Sequence, residues 1–126
     1  MRKIGILALM GVMVGGLAFA NNNNSTQGGS TKTIKEVMAA AFKGDDSLFK
    51  KVTSGKASAE EKAKLLDCLI YLVQNEAPKG DPTEWKMMSG RAMMAAGMVV
   101  VGRAEGMEEL KAAANCKACH DKFKGK

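Results

Sequence analysis

Cys116, Cys119 and His120 stand in the run Cys116-Lys117-Ala118-Cys119-His120, a C-x-x-C-H pentapeptide. On a helix, positions i+3 and i+4 share a face with position i, so both thiols and the imidazole would point the same way. That arrangement suits one flat ligand. The pattern reads as the attachment site of a c-type haem, in which two sulfurs form thioethers at the haem edge and the histidine binds the iron as proximal ligand. His120 is the only histidine of the chain, and no second C-x-x-C occurs. The same residues could hold zinc if Cys68 joined them as a Cys₃His site, but structural zinc ligands usually arrive as two paired clusters, and here there is one pair. A redox C-x-x-C would follow a strand in a βαβ setting, and this chain has no strand alternation.

Other residues group around the motif. Ala112 and Ala113 lie four and three positions before Cys116, where larger side chains would take the volume a porphyrin needs. Phe123, three residues past His120, falls near the same face and either packs on the ring or joins the core. Cys68 recurs at helical spacing with Leu65, Leu69 and Leu72 and reads as a small buried hydrophobe, with an intersubunit disulfide as the alternative.

The elements that must position these groups are helical. From Thr31 onward apolar residues recur at three and four, and helix-start signals punctuate the chain. Thr33 with Glu36 has capping-box spacing, and Ile34, Met38, Ala41, Phe42, Phe49 and Val52 keep to one face, which predicts a single bent helix over 34–53 unless Gly44-Asp45-Asp46 breaks it. Ser58 with Glu61 repeats the box ahead of Leu65, Cys68, Leu69 and Leu72, and this second helix should end before Pro78. Asp81-Pro82-x-Glu84 opens a third helix running toward Arg103, with Met87, Met94, Met98 and Val101 as its core stripe and Met88, Ala95 and Val99 widening the arc. A last helix begins near Gly106 and carries Met107, Leu110, Ala112, Ala113 and the cysteines. Four helices with short connections predict an all-α antiparallel four-helix bundle over residues 32–126, with haem attached at its C-terminal helix.

Residues 1–20 read as a cleaved signal peptide: Arg2 and Lys3 precede the uncharged apolar stretch from Ile4 to Leu17, and Ala18-Phe19-Ala20 offers the cleavage site. The apolar run is short for a membrane span, and no cysteine directly follows it to take a lipid, so no stable membrane insertion is expected after cleavage. Residues 21–31 form a polar, low-complexity leader expected to be flexible. With the signal removed and the leader included, about 106 residues remain, enough for one domain and a modest core. The chain has 19 Lys and Arg, of which Arg2 and Lys3 leave with the signal, so 17 face 13 Asp and Glu at a formal +4. The basic residues are scattered among acids with few aromatics, which excludes a nucleic-acid binder and leaves room for a charge-guided protein partner.

With the motif at the C-terminal end of the last helix, the run Cys116-Lys-Ala-Cys-His120-Asp-Lys-Phe123-Lys124 and the helices before it, the chain resembles the class II cytochromes c, the cytochromes c′ and their low-spin relatives. The resemblance covers roughly residues 31 to 126. It implies a periplasmic bundle, often dimeric, with one covalent haem c. It also implies a carrier or binder rather than an enzyme, and two functions differ by the sixth iron ligand. A methionine there makes a low-spin electron carrier serving an unidentified redox partner, since Met/His ligation raises the reduction potential. An open position makes a binder of nitric oxide or carbon monoxide. Low-spin relatives take their methionine from the first helix, where Met38 stands alone one turn before Phe42. Met38 is therefore the expected distal ligand and Phe42 the distal shield; in the five-coordinate alternative they would crowd an empty position. The five methionines of the third helix read as packing or dimer interface.

Overall fold

The computed structural model describes residues 32–126, so the signal peptide and the polar leader expected over 1–31 lie outside the described residues. Among the described residues there is helix and no strand, and no helix is long and apolar enough to cross a membrane. The helices are α1 (Ile34–Val37, continued as a π-helical turn Met38–Phe42), α2 (Leu48–Thr53), α3 (Ala59–Gln74), α4 (Pro82–Val100), α5 (Gly106–Ala113) and α6 (Cys116–Phe123).

Side-chain chemistry at the helix starts explains most of these boundaries. Thr33 and Glu36 form a complete capping box: the threonine hydroxyl accepts from Glu36 N–H, and the Glu36 carboxylate accepts from Thr33 N–H at 2.7 Å. That backbone bond, helped by the Thr33 hydroxyl, holds the Glu36 carboxyl below its ordinary pKa. At α3 the box is half formed. Ser58 accepts from Glu61 N–H at 3.2 Å, but the Glu61 carboxylate turns to Lys51 of α2 at 3.7 Å and so ties the two helices instead of closing on its own cap. Asp81 caps α4 at 2.9 Å, with Pro82 in the first turn. Each such cap stabilises its helix by roughly 1 kcal/mol.

The first predicted helix is two. The chain leaves α1 at Lys43 in an extended conformation, Gly44 takes φ +91°, and Ser47 caps α2 afresh. A glycine followed by two aspartates supplies a left-handed residue and two poor helix formers, which outweighs the apolar phase running through them. The last predicted helix is also two. α5 ends at Ala113, and the Asn115 side chain starts α6 by accepting from Ala118 N–H at 3.1 Å.

α3 and α4 run antiparallel and supply the centre of the core. Leu65, Cys68, Leu69 and Leu72 of α3 are buried, as the periodicity predicts. α4 buries Ala95 and Val99 of the expected arc but turns the expected methionine stripe outward. Trp85, Ser89, Ala92, Ala95, Ala96 and Val99 point inward, while Met87, Met94 and Val101 of the predicted core stripe are 69%, 68% and 73% exposed and Met98 is half-buried. The inward residues after Trp85 are mostly small, so α4 lies close against its neighbours. Gly106 meets α4 so closely that a Cβ there would stand 2.8 Å from Val99 N. Arg91 to Glu109 at 2.6 Å holds α5 on the same helix. α1 lays Val37 and Ala41, both wholly buried, over α3.

One junction fixes the end of the molecule where α1 begins. Asn75 donates its amide to the carbonyls of Lys32 and Tyr71, and its own carbonyl accepts from Trp85 Nε1 at 2.8 Å. A single residue thus ties the entry of α1, the end of α3 and the start of α4. Phe123 packs edge-on against Trp85 with centroids 5.3 Å apart, over Gly80 at φ +89°, where a Cβ would meet the phenyl ring at 2.7 Å.

Cys68 is 3% exposed, and burial pushes its thiol pKa up. Because the thiolate is the reactive form, Cys68 should stay unlabelled by a thiol reagent in the folded protein and react on unfolding. Rapid labelling of the native chain, or a reducible dimer on a gel, would show an exposed or bridging thiol instead.

Candidate functional site

The site is built on α6. Asn115 fixes where the helix starts, which puts Cys116 in its first position and Cys119 and His120 one turn on. Cys116 and His120 are exposed along the rim, and Cys119 is half-buried. Burial, reinforced by Cys116 beside it, pushes the Cys119 thiol pKa up.

All three side chains border a cavity of about 280 Å³. Met38 and Phe42 of α1 form one wall, Leu69 and Leu72 of α3 another, and Met88, Ser89 and Ala92 of α4 a third. Ala113, Ala114 and Asn115 close it where α5 gives way to α6. The lining is apolar where it needs to be. Ser89 spends its proton on the Trp85 carbonyl at 2.6 Å, Asn115 is occupied with its cap, and no Asp, Glu, Lys or Arg borders this cavity.

A second cavity of about 650 Å³ lies on the other side of the histidine. Ile34, Trp85 and Phe123 contribute apolar walls, whereas Lys35, Lys124 and Lys126 make part of its border basic. Met38, Cys119 and His120 are the residues that border both cavities. The two spaces therefore adjoin along the α1 methionine and the α6 histidine and cysteine. The second falls within the size range of small-molecule and cofactor sites, and the first just below it.

Of the residues singled out in the sequence, Cys116, Cys119, His120, Met38, Phe42 and Ala113 come together around the first cavity. Ala112 does not. It is exposed and borders neither cavity, because the helix breaks at Ala114 and Asn115 and the phase counted back from Cys116 is lost there. Phe123 is buried against Trp85 and borders the second cavity only, so it acts first as core. Cys68 borders neither, and among the described residues no three His, Cys, Asp or Glu side chains gather as a metal cluster.

Several lining residues were not assigned to the site. Leu69, Leu72 and Met88 read only as core-face residues and Ser89 and Ala92 were not named; all five reach the cavity through long-range packing that no local spacing records. Asn115 did leave a signal, since asparagine is among the best helix caps and here directly precedes the motif.

The π-helical turn of α1 bears on Met38 directly. Lys43 N–H donates to the Met38 carbonyl at 3.0 Å, a bond spanning five residues rather than four. Such turns widen a helix locally and occur often at functional sites. Here the turn lets Ala41 stay wholly buried while Met38 and Phe42 border the cavity together. Phe42 is further held by Phe49 of α2 at 5.4 Å between centroids. Comparison with protein-family models, with curated proteins and with solved structures gives no match to this chain, so the site stands on its own geometry.

Proposed function

We propose that this chain is a c-type cytochrome of the class II kind: an antiparallel four-helix bundle, broken once in its first and once in its last member, that holds one covalent haem and passes single electrons to a redox partner in the periplasm after export. The observation that carries the reading is the shared border of the two cavities, where a thioether on α1 and an imidazole on α6 adjoin the same space beside the C-x-x-C thiols. A flat cofactor spanning both would meet Met38 and His120 alike.

The donor set fits the group. Cys116 and Cys119 would hold it covalently, each thiol adding across one vinyl double bond with sulfur on one carbon and the thiol proton on the other. His120 would ligate the iron through its imidazole and Met38 through its thioether. When bound, the haem supplies a one-electron ferric–ferrous couple. Apolar side chains from α1, α3 and α4 exclude water from its surroundings, and with no carboxylate or ammonium bordering the first cavity, the electron need not be accompanied by proton uptake there. Phe42, steadied by Phe49, shields the Met38 side.

The test is an absorption spectrum of the purified protein in both redox states, with and without carbon monoxide, followed by acid extraction. Haem retained through extraction and a low-spin spectrum are expected. A colourless or zinc-containing protein would overturn the reading. A high-spin protein that binds carbon monoxide or nitric oxide at once would replace the electron carrier with a gas binder.

A further inference from the structure

The basic border of the second cavity has no part in ligating iron or forming thioethers. Lys35 comes from α1, and Lys124 and Lys126 come from the segment after α6, so two elements far apart in sequence bring their ammonium groups to one opening. Among the described residues none of these three makes an ion pair or a side-chain hydrogen bond. The neighbouring lysines of α6 that border neither cavity are paired: Lys117 with Asp121 at 2.9 Å and Lys122 with Glu84 at 3.5 Å. Glu76 is the one acid bordering the same space. The polar side chains of Thr33 and Asn75, which also reach it, are already engaged, with Glu36 and with the carbonyls of Lys32 and Tyr71. The lysines are therefore the donors that remain for an incoming anion.

A haem is itself divided in this way. The edge that thiols alkylate is apolar, and the opposite edge bears two propionate carboxylates. Cys116 borders the first cavity and not the second, and the first has no charged side chain on its border. We infer that Lys35 and Lys124, with Lys126 beside them, receive the propionates, so that the second cavity takes the charged edge of the cofactor and the first its thioether edge. This rests on the haem reading above and adds to it what sets the cofactor's orientation and charge environment. Carboxylates left without counter-charge near the iron stabilise ferric over ferrous haem; ammonium groups beside them oppose that and raise the potential.

The experiment uses the haem-loaded protein. Lys35→Met, Lys124→Met and the double variant keep the length of the stem and remove the charge; Lys117→Met, whose ammonium is paired elsewhere, is the control. After acid extraction has shown covalent haem in each, their midpoint potentials are compared. Each single variant should shift the one-electron equilibrium about threefold toward ferric, and the double variant about tenfold, which is about 59 mV for one electron. Lys117→Met should stay with the parent, and Lys35→Arg should restore the parent value, which a merely structural role for the lysine stem would not produce. Should the double variant fail to accumulate, Lys124→Met against Lys124→Arg makes the same comparison. Haem-loaded variants whose potentials match the parent, or shift no more than Lys117→Met, overturn the propionate cradle and leave the cytochrome reading standing. A parent chain without covalent haem overturns both.

Discussion

A chain carrying Cys116→Ala together with Cys119→Ala is expected to lose covalent haem entirely, with no haem mass on the denatured polypeptide and no colour surviving acid extraction. The effect should reach beyond the cofactor. Phe42, Leu69, Leu72, Met88 and Ala92 border the first cavity from the edge of the core, and α6 returns to the body of the protein through Phe123 on Trp85. A cofactor that fills this space acts as core, and anything that binds the folded state alone stabilises it by mass action. Without it, a domain of about 95 residues has a small core and a hollow beside it, and lining residues lose the contacts that burial should give them. The double variant should therefore show weaker helical circular dichroism and a broad, early thermal transition. Fully retained cooperativity and an unchanged midpoint would mean that α6 is held without haem. The single variants should be milder, each keeping one thioether and His120. Cys116→Ala should be the better tolerated, because Cys116 is exposed where Cys119 is half-buried.

Parts of this architecture were legible in the sequence for definite physical reasons. Thr33, Ser58 and Asp81 cap helices because a short polar side chain ahead of an apolar run has few other backbone partners, so local chemistry alone places α1, α3 and α4. The α3 face was legible because its apolar residues fall on one side. α4 was not, because apolar residues lie on both of its sides. Periodicity says which residues share a face, and Met87, Met94 and Val101 do share one, but it does not say which face turns inward when both could. Packing settled that question. Ser89, Ala92, Ala95 and Ala96 let α3 and α5 approach α4 in a way that a row of methionines would prevent, and Gly106, where an added Cβ would stand 2.8 Å from Val99 N, shows how close the approach is. The two breaks, the first signalled by Gly44-Asp45-Asp46 and the second not, share a cause as well. Counting residues carries a helical phase straight through Gly44 and Ala114-Asn115, whereas one residue at φ +91° or one asparagine cap ends it.

At the site, the C-x-x-C-H spacing named its own three residues, and the resemblance pointed to Met38. What neither could supply is the company they keep. The walls from α3 and α4, Leu69 to Ala92, lie well before the motif in sequence, and the basic border joins Lys35 to Lys124 across almost the whole described chain. Only the tertiary arrangement makes neighbours of them. Ala112 shows the converse, a residue close to the motif in sequence that the break before Asn115 turns away from it.

Met38→Ala is the substitution expected to change the chemistry most while leaving the cofactor attached. A thioether sulfur is a soft, neutral donor that favours ferrous over ferric iron, so its loss should lower the reduction potential and open the sixth position. The ferric spectrum should pass from low-spin to high-spin, the charge-transfer band of methionine on ferric haem should vanish, and carbon monoxide should bind rapidly where the parent binds it slowly. The fold should survive, because Met38 is half-buried and its neighbours Val37 and Ala41 keep α1 on α3. The π-helical turn sharpens the expectation. Met38 contributes the carbonyl that closes that turn, a backbone contact which alanine keeps, so the substitution removes the sulfur without removing the turn. Met38→Leu, nearly matched in volume but without a donor atom, should give the same high-spin spectrum with slower gas entry, since leucine still fills the space beside Phe42. If instead the parent is already high-spin and both variants leave its spectrum unchanged, Met38 packs against an open iron, and the apolar chamber bounded by Phe42, Leu69 and Ala92 becomes the place where a diatomic gas would sit.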